Sequence, residues 1–327
     1  MLAPDSSFVV LEQRARVERE LFLRAMSPAR PNPEVARAIA PTLKDVYVKA
    51  GDVVFRRGDA PKACAYVVRG ELVYEGIDGE DDQSFGPGAM IGILDLNIGR
   101  PRVRTAIAKT DVHLLEMNYE QWLEVMEDFP EFTATARRSV SATLHDVSLA
   151  LAPNGGFDEM AKSEAAEGRN SDGSREADLI SRITMLRKTR HFEQASVHAI
   201  AQIAERGEVL RPEAGDLVLR PGAARERVFF VMSGSVTIER RVAPELRATF
   251  GAGRIVLAGA AFSDALSSYS MMAGANTTLL VFDHVDIDDV ADDHFDIVKS
   301  VLRGLSMDRD QLQSLRAKSD ARSRRYR

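Results

Sequence analysis

Seven aspartates crowd one stretch of the chain, at positions 283, 286, 288, 289, 292, 293 and 296. Clustered carboxylates are donors for calcium, but a calcium loop also needs a glycine at its tight turn and a closing glutamate. Neither accompanies this run, which reads better as the acidic start of a helix, where carboxylates complement the helix dipole. Six histidines, at 113, 145, 191, 198, 284 and 294, are the other candidate ligands. None has the His-Glu-x-x-His spacing of a zinc helix, and adjacent Asp292, Asp293 and His294 would point to different faces of a helix. No metal site is expected. The single cysteine, Cys64, leaves no intramolecular disulfide and no multi-cysteine metal centre. Lying in an apolar strand pattern, it reads as a small core residue rather than a nucleophile. No Gly-x-Ser-x-Gly elbow, Walker loop or dinucleotide fingerprint occurs, and the glycines between Gly79 and Gly99 suit turns. The expectation is a protein without catalysis.

The elements that would position any site come in two copies. Gly51, Gly58 and Gly70 reappear as Gly215, Gly222 and Gly234, each 164 residues later. Ala50-Gly51-Asp52 is answered by Ala214-Gly215-Asp216, and Tyr66-Val67-Val68-Arg69-Gly70 by Phe230-Val231-Met232-Ser233-Gly234. The offset then becomes 165, pairing Phe85 with Phe250, Gly88 with Gly253, and Leu114-Leu115 with Leu279-Leu280. So long a period marks a duplicated domain and not a solenoid, and 327 residues suffice for two domains with separate cores.

Residues 1–40 read as a helical leader, broken by Pro28, Pro31 and Pro33. Short β-type runs punctuated by Gly and Asp follow from Val46 to Leu115, as in a compact antiparallel barrel or sandwich. Helical spacing returns over 119–152, with Pro130 dividing it. Residues 153–176, poor in large apolar side chains, read as a flexible linker. The second copy spans 177–315: helices at Asp178–Leu186 and Ser196–Glu205, strands from Glu208 to Phe282, and a helical stretch from Ile287 to Leu315. Residues 316–327, rich in arginine, read as a disordered basic tail. Net charge is −6, from 43 Lys and Arg against 49 Asp and Glu, which argues against nucleic acid or an anionic membrane as the main partner. With no apolar run long enough to span a bilayer and no secretory leader pattern, a cytoplasmic location is expected. The Ala- and Arg-rich composition suggests a bacterial source.

The order of helix, about eight short strands, then helices, together with the glycine spacing, resembles the cyclic nucleotide-binding domain superfamily, which includes the catabolite activator protein and kinase A regulatory subunits. The resemblance covers roughly residues 35–150 and 185–310. It implies a mainly β fold with flanking helices, in two tandem β-barrel (double-stranded β-helix, jelly-roll) domains: 41–152, and a degenerate 177–315. Lys49 to Asp59 looks like the family's strand-turn-strand, and Gly92 to Thr105 lies where the family carries its phosphate-binding cassette. That cassette is a short helix whose N-terminal amides face the cyclic phosphate, with an arginine pairing the phosphate and a glutamate accepting the ribose hydroxyl.

By that resemblance the first-domain ligand set, if functional, is Gly92, Ile93, Leu94, Arg102, Val103, Arg104 and Thr105. Pro101-Arg102 matches the phosphate anchor, Thr105 the closing threonine and Gly92 the opening glycine, but Ile93 stands where the glutamate should be. A ribose hydroxyl would lose a charge-assisted hydrogen bond of about 1.5 to 3 kcal/mol, roughly ten- to a hundredfold in affinity. Asp95 and Arg104 add charges where the family prefers small residues. If Asp95 pairs with Arg102 or Arg104 the phosphate site is self-occupied; if it points outward, Arg104 strengthens anion binding. In the second copy the glutamate, proline and arginine positions hold Ala258, Leu266 and Ser267, leaving no anchor, and Arg254 reads as a solvated cation.

The leading expectation is a non-enzymatic regulatory or adaptor protein that docks proteins or self-associates through its flanking helices, with no resident cofactor. An alternative is a sensor binding cyclic AMP or a related anion in the first domain, Val103 disfavouring cyclic GMP. A third is a transcription-associated role through the basic tail. That tail lacks a supporting second helix for helix-turn-helix recognition, so sequence-specific nucleic-acid binding is not expected.

Overall fold

The computed structural model describes residues 6–26, 31–77, 81–135, 178–223, 227–242, 245–256, 267 and 269–325, with the side chains of 6–11, 246 and 315–325 left aside. It divides into two compact units, Met1–Ala136 and Arg137–Arg327. No helix among the described residues is long and apolar enough to cross a membrane.

The first unit opens with α1 (Ser6–Met26) and α2 (Pro33–Ile39). Pro33 fits the first turn of α2, where its missing N–H goes unused, and the Asn32 side chain caps the helix by accepting from the Val35 N–H at 2.9 Å. A 3-10 turn, Ala40–Thr42, leads into the strands. Eight follow: β1 (Lys44–Val48), β2 (Val53–Phe55), β3 (Ala63–Arg69), β4 (Leu72–Tyr74), β5 (Gln83–Phe85), β6 (Met90–Ile91), β7 (Ala106–Ala108) and β8 (Val112–Asn118), with α3 (Ile93–Ile98) between β6 and β7. They form two antiparallel sheets, β1-β8-β3-β6 and β2-β7-β4-β5. Ala65, Val67, Leu72, Ile91, Ala108, Val112 and Leu114 fill the space between them. α4 (Tyr119–Asp128) begins at a capping box of Asn118 and Gln121 and ends two residues before Pro130, which starts a further helical piece over 130–135. The expected helix beyond 135 and the linker at 153–176 lie outside the described residues.

The leader helix α1 is fastened to the sheet by one carboxylate. Asp45 on β1 accepts from Arg19 on α1 at 2.6 Å and meets His113 on β8 at 2.6 Å, while Tyr47 stacks on the His113 ring at 4.5 Å. His113, scattered in the sequence, thus has a local structural role.

The second unit repeats the plan. α5 (Leu179–Arg187) and α6 (Val197–Arg206) start at Asp178 and Ser196, each accepting from a first-turn backbone N–H. Strands β9 (Glu208–Leu210), β10 (Leu217–Leu219), β11 (Arg227–Ser233), β12 (Ser235–Arg240), β13 (Leu246–Gly251), β14 (Ile255–Val256), β15 (Ser270–Ala273) and β16 (Thr278–Asp283) follow. Their sheets, β14-β11-β16-β9 and β10-β15-β12-β13, have the strand orders of the first unit. Even an irregularity is duplicated: the register slips between Val67 and Arg69 on β3 and between Val231 and Ser233 on β11. The repeated glycines at 51, 58, 70 and 88 and at 215, 222, 234 and 253 all have positive φ, a conformation nearly barred to other residues, and this is why they stand out in the sequence.

Two helices close the second unit, α7 (His284–Asp293) and α8 (Phe295–Arg325). The aspartate run does open a helix, with the Asp286 carboxylate accepting from the Asp283 N–H at 2.9 Å. The disordered tail expected from 316 is corrected: α8 continues unbroken to Arg325. Apolar periodicity fades after Leu312, but Ala, Arg and Lys are strong helix formers and basic residues suit a helix C-terminus.

Candidate functional site

The segment from Gly92 to Thr105 forms the candidate site. β6 delivers the chain to Gly92, whose φ of +77° turns it into α3. A side chain here is excluded twice: the backbone conformation is left-handed, and a Cβ would stand 2.8 Å from the Arg102 guanidinium. α3 is short, buries Asp95, Leu96 and Ile98, and ends at Gly99. The chain then returns through Arg102, whose backbone pairs with the β2–β3 turn: Gly58 N–H donates to the Arg102 carbonyl and Arg102 N–H to the Asp59 carbonyl, both at 2.8 Å.

Arg102 is 5% exposed. Its guanidinium donates to the Gly92 and Ala63 carbonyls and lies 4.5 Å above the Phe55 ring centroid, a cation–π contact. Asp95 is buried alongside, 3.0 Å from Arg100 Nε and 4.0 Å from Arg102 Nη1. Burial lowers the Arg102 pKa from its ordinary value, opposed by attraction to Tyr74, Asp95, Cys64 and Asp59. The Gly92 N–H donates to the Tyr74 hydroxyl at 2.9 Å, and Tyr74 packs between Phe55 and Phe85 at ring separations of 5.7 and 4.5 Å.

The site therefore gathers Gly92, Asp95 and Arg102, together with Phe55, Ala63, Tyr74 and Arg100, which the sequence did not single out. Ile93, Leu94, Val103, Arg104 and Thr105 are all half-buried. Arg104 donates to the Glu75 carbonyl at 3.3 Å, and Thr105 Oγ1 accepts from the Arg57 N–H at 3.2 Å. Phe55, Ala63 and Tyr74 come from β2, β3 and β4, whose approach to the cassette depends on strand pairing rather than sequence proximity, whereas Arg100 lies within the cassette segment itself, five positions after Asp95.

In the second unit Ser267 occupies the place of Arg102. Gly222 N–H donates to the Ser267 carbonyl at 2.7 Å and Ser267 N–H to the Ala223 carbonyl at 2.8 Å, the same backbone pairing at the same turn. Its buried hydroxyl donates to the Tyr269 carbonyl and accepts from the Tyr269 N–H. Ala258 and Leu266 lie outside the described residues. Arg254, expected to be solvated, is partly buried; desolvation brings its pKa down to about 10, against the attraction of Asp308. Cys64 is fully enclosed, and burial pushes its thiol up to about 12, so it is not a thiolate nucleophile at neutral pH.

Two facing four-stranded antiparallel sheets with a short helix and an arginine between β6 and β7 define the class. The cyclic nucleotide-binding domain model matches residues 45–129 and 209–294. The chain belongs to the cyclic nucleotide-binding domain family, in two tandem copies that take up just over half of it. No curated protein matches. Among solved structures it is similar to the regulatory domain of Toxoplasma gondii PKA with cAMP, at 15% identity over 88% of this chain and 94% of that one, TM-score 0.33. It is also similar to the regulatory subunit of a cAMP-independent protein kinase A from Trypanosoma brucei, at 14% identity, covering 86% and 87%, TM-score 0.34. The corresponding Trypanosoma cruzi subunit bound to guanosine is 13% identical, with 83% of each chain covered and a TM-score of 0.33.

Proposed function

We propose that the protein is a non-enzymatic regulator whose two nucleotide-binding-like domains act by docking proteins, their ligand sites having been given over to structure. The observation that carries this reading is the commitment of Arg102: its guanidinium is buried and bonded to the Gly92 and Ala63 carbonyls, with Asp95 beside it. A phosphate entering there would have to displace the two carbonyl partners of a guanidinium already withdrawn from water. The first amide of the cassette is likewise occupied by Tyr74, Ile93 offers a ribose hydroxyl no acceptor, and Ser267 replaces the arginine in the second domain. Docking is supported by α1, where Val17, Leu21 and Met26 are exposed apolar side chains on a helix already fastened to its domain.

The test is isothermal titration of the full chain with cyclic AMP, with cyclic GMP as control. The expected result is no saturable heat up to about 1 mM ligand, equivalent to a binding free energy weaker than about −4 kcal/mol, in both the wild type and Ile93→Glu. Saturable binding that Ile93→Glu strengthens and Arg102→Ala abolishes would replace the docking reading with that of a cyclic AMP sensor.

A further inference from the structure

The fold brings together two histidines that are 96 positions apart. His198 stands in the first turn of α6, Gln202 one turn further along the same face, and His294 at the C-terminal end of α7, where the chain enters α8. The Gln202 side-chain nitrogen lies 3.3 Å from His198 Nε2 and 3.1 Å from His294 Nε2. The two rings are 5.1 Å apart between centroids and inclined at 73°. A carboxamide NH2 has two hydrogens, and a neutral imidazole has one nitrogen with a free lone pair. Both contacts are satisfied together when each ring carries its proton on Nδ1 and aims its Nε2 lone pair at the same amide nitrogen. In that tautomer two imidazole lone pairs, from separate helical elements, converge on one point.

That convergence is what a borderline divalent transition metal selects, with imidazole nitrogens at about 2.0 to 2.1 Å from the ion. An ion entering between the two Nε2 atoms would displace the Gln202 carboxamide, which, turned over, presents Oε1 to it, because the two ends of the amide are nearly the same size. The site can then offer two nitrogens and one oxygen, with water completing the shell. His198 is exposed and the other two are partly exposed, so the ion has access from solvent. Asp292 and Asp293 stand exposed next to His294, and their charge favours a cation nearby. Among the described residues no three His, Cys, Asp or Glu side chains gather as a metal centre. This site differs in using an amide as its third donor.

We propose that His198, Gln202 and His294 form a binding site for a zinc-class divalent ion, which would tie α6 to the α7–α8 junction. The absence of His-Glu-x-x-His spacing in the sequence does not bear on it, since its second histidine comes from another element.

The experiment uses the untagged full chain, stripped with chelator and titrated calorimetrically with zinc chloride, with magnesium chloride as control. The expected result is one saturable zinc event, lost in His198→Ala and in His294→Ala, and no saturable event with magnesium. Gln202→Glu, which puts a carboxylate at the third position, is expected to tighten it. His198 is exposed, so removing it should leave the fold intact, and the tightening by Gln202→Glu reads the site without removing anything. Absence of saturable zinc binding by the folded wild type, or undiminished binding by the folded His198→Ala variant, overturns the proposal.

Discussion

A guanidinium waiting for a phosphate and one built into the core respond oppositely to removal. The first is a concentrated positive charge held ready for a ligand, and its loss leaves stability unchanged or improved. Arg102 belongs to the second kind, since it is withdrawn from water, bonded to two carbonyls and stacked on Phe55. Arg102→Ala is expected to destabilise the first domain by about 2 to 4 kcal/mol, because it takes the guanidinium donor from the Gly92 and Ala63 carbonyls and leaves Asp95 with Arg100 as its remaining charge partner. Lysine should recover little, having no planar fork to bridge both carbonyls. Urea unfolding measures this directly, and a stability equal to wild type would mean that Arg102 is not structural. That Gly92 and Arg102 belong to one segment could be read from the sequence, because the arginine after proline and the glycine at the turn resemble the family's cassette. How Arg102 is used could not be read, because Ala63, Phe55 and Tyr74 reach it only across paired strands. Ile93 was informative for the opposite reason: the loss of a hydrogen-bond acceptor is a property of the side chain alone.

At the scale of elements, the last helix shows how a largely enclosed charge can specify a joint. Gly304 lies in the interior of α8, where glycine costs about 1 kcal/mol relative to alanine. A Cβ there would come within 2.6 Å of the His191 ring, so the glycine makes room for it. His191 Nε2 then meets Asp308 at 2.9 Å, and Arg190 meets Asp308 and Gln311 at 3.1 and 3.0 Å. Burial would raise the Asp308 pKa, but His191, Arg190 and Arg254 outweigh it and hold the carboxyl below its ordinary value. Asp308→Asn is expected to cost about 2 to 4 kcal/mol near neutral pH, since it leaves the cations without their partly buried partner. A depressed carboxylate pKa contributes stability that is present above the unfolded value and lost as pH falls through the folded one. The gap between wild type and Asp308→Asn should therefore be full above about pH 4 and shrink in stronger acid. Unfolding curves at a series of pH values test it, and a gap that does not narrow in acid would show that the carboxylate charge is not what holds α8. None of this joint was legible from the sequence, where His191 and Asp308 are 117 positions apart. The continuation of α8 past 315 was obscured because the apolar stripe ends before the helix does.

For the whole molecule, the duplication that the glycine spacing disclosed extends to strand order, sheet partners and the position of a bulge, because positive φ and strand register constrain residue type strongly. What diverged is what those constraints do not touch: arginine in one cassette and serine in the other, at backbone positions that make the same pair of hydrogen bonds. Each unit has its own core, with Val67, Leu72 and Leu114 in the first and Phe230, Val236 and Leu280 in the second, all nearly inaccessible to solvent. Separate cores imply separate cooperative transitions. Residues 1–152 and 177–327, expressed apart, are therefore each expected to unfold cooperatively. In the full chain, Arg102→Ala should lower only the transition assigned to the first fragment and Asp308→Asn only that of the second. Scanning calorimetry resolves the two. If either variant shifts both transitions together, stability is shared between the units, and a change in one would be felt by the other, as a signalling protein with only one responsive domain would require.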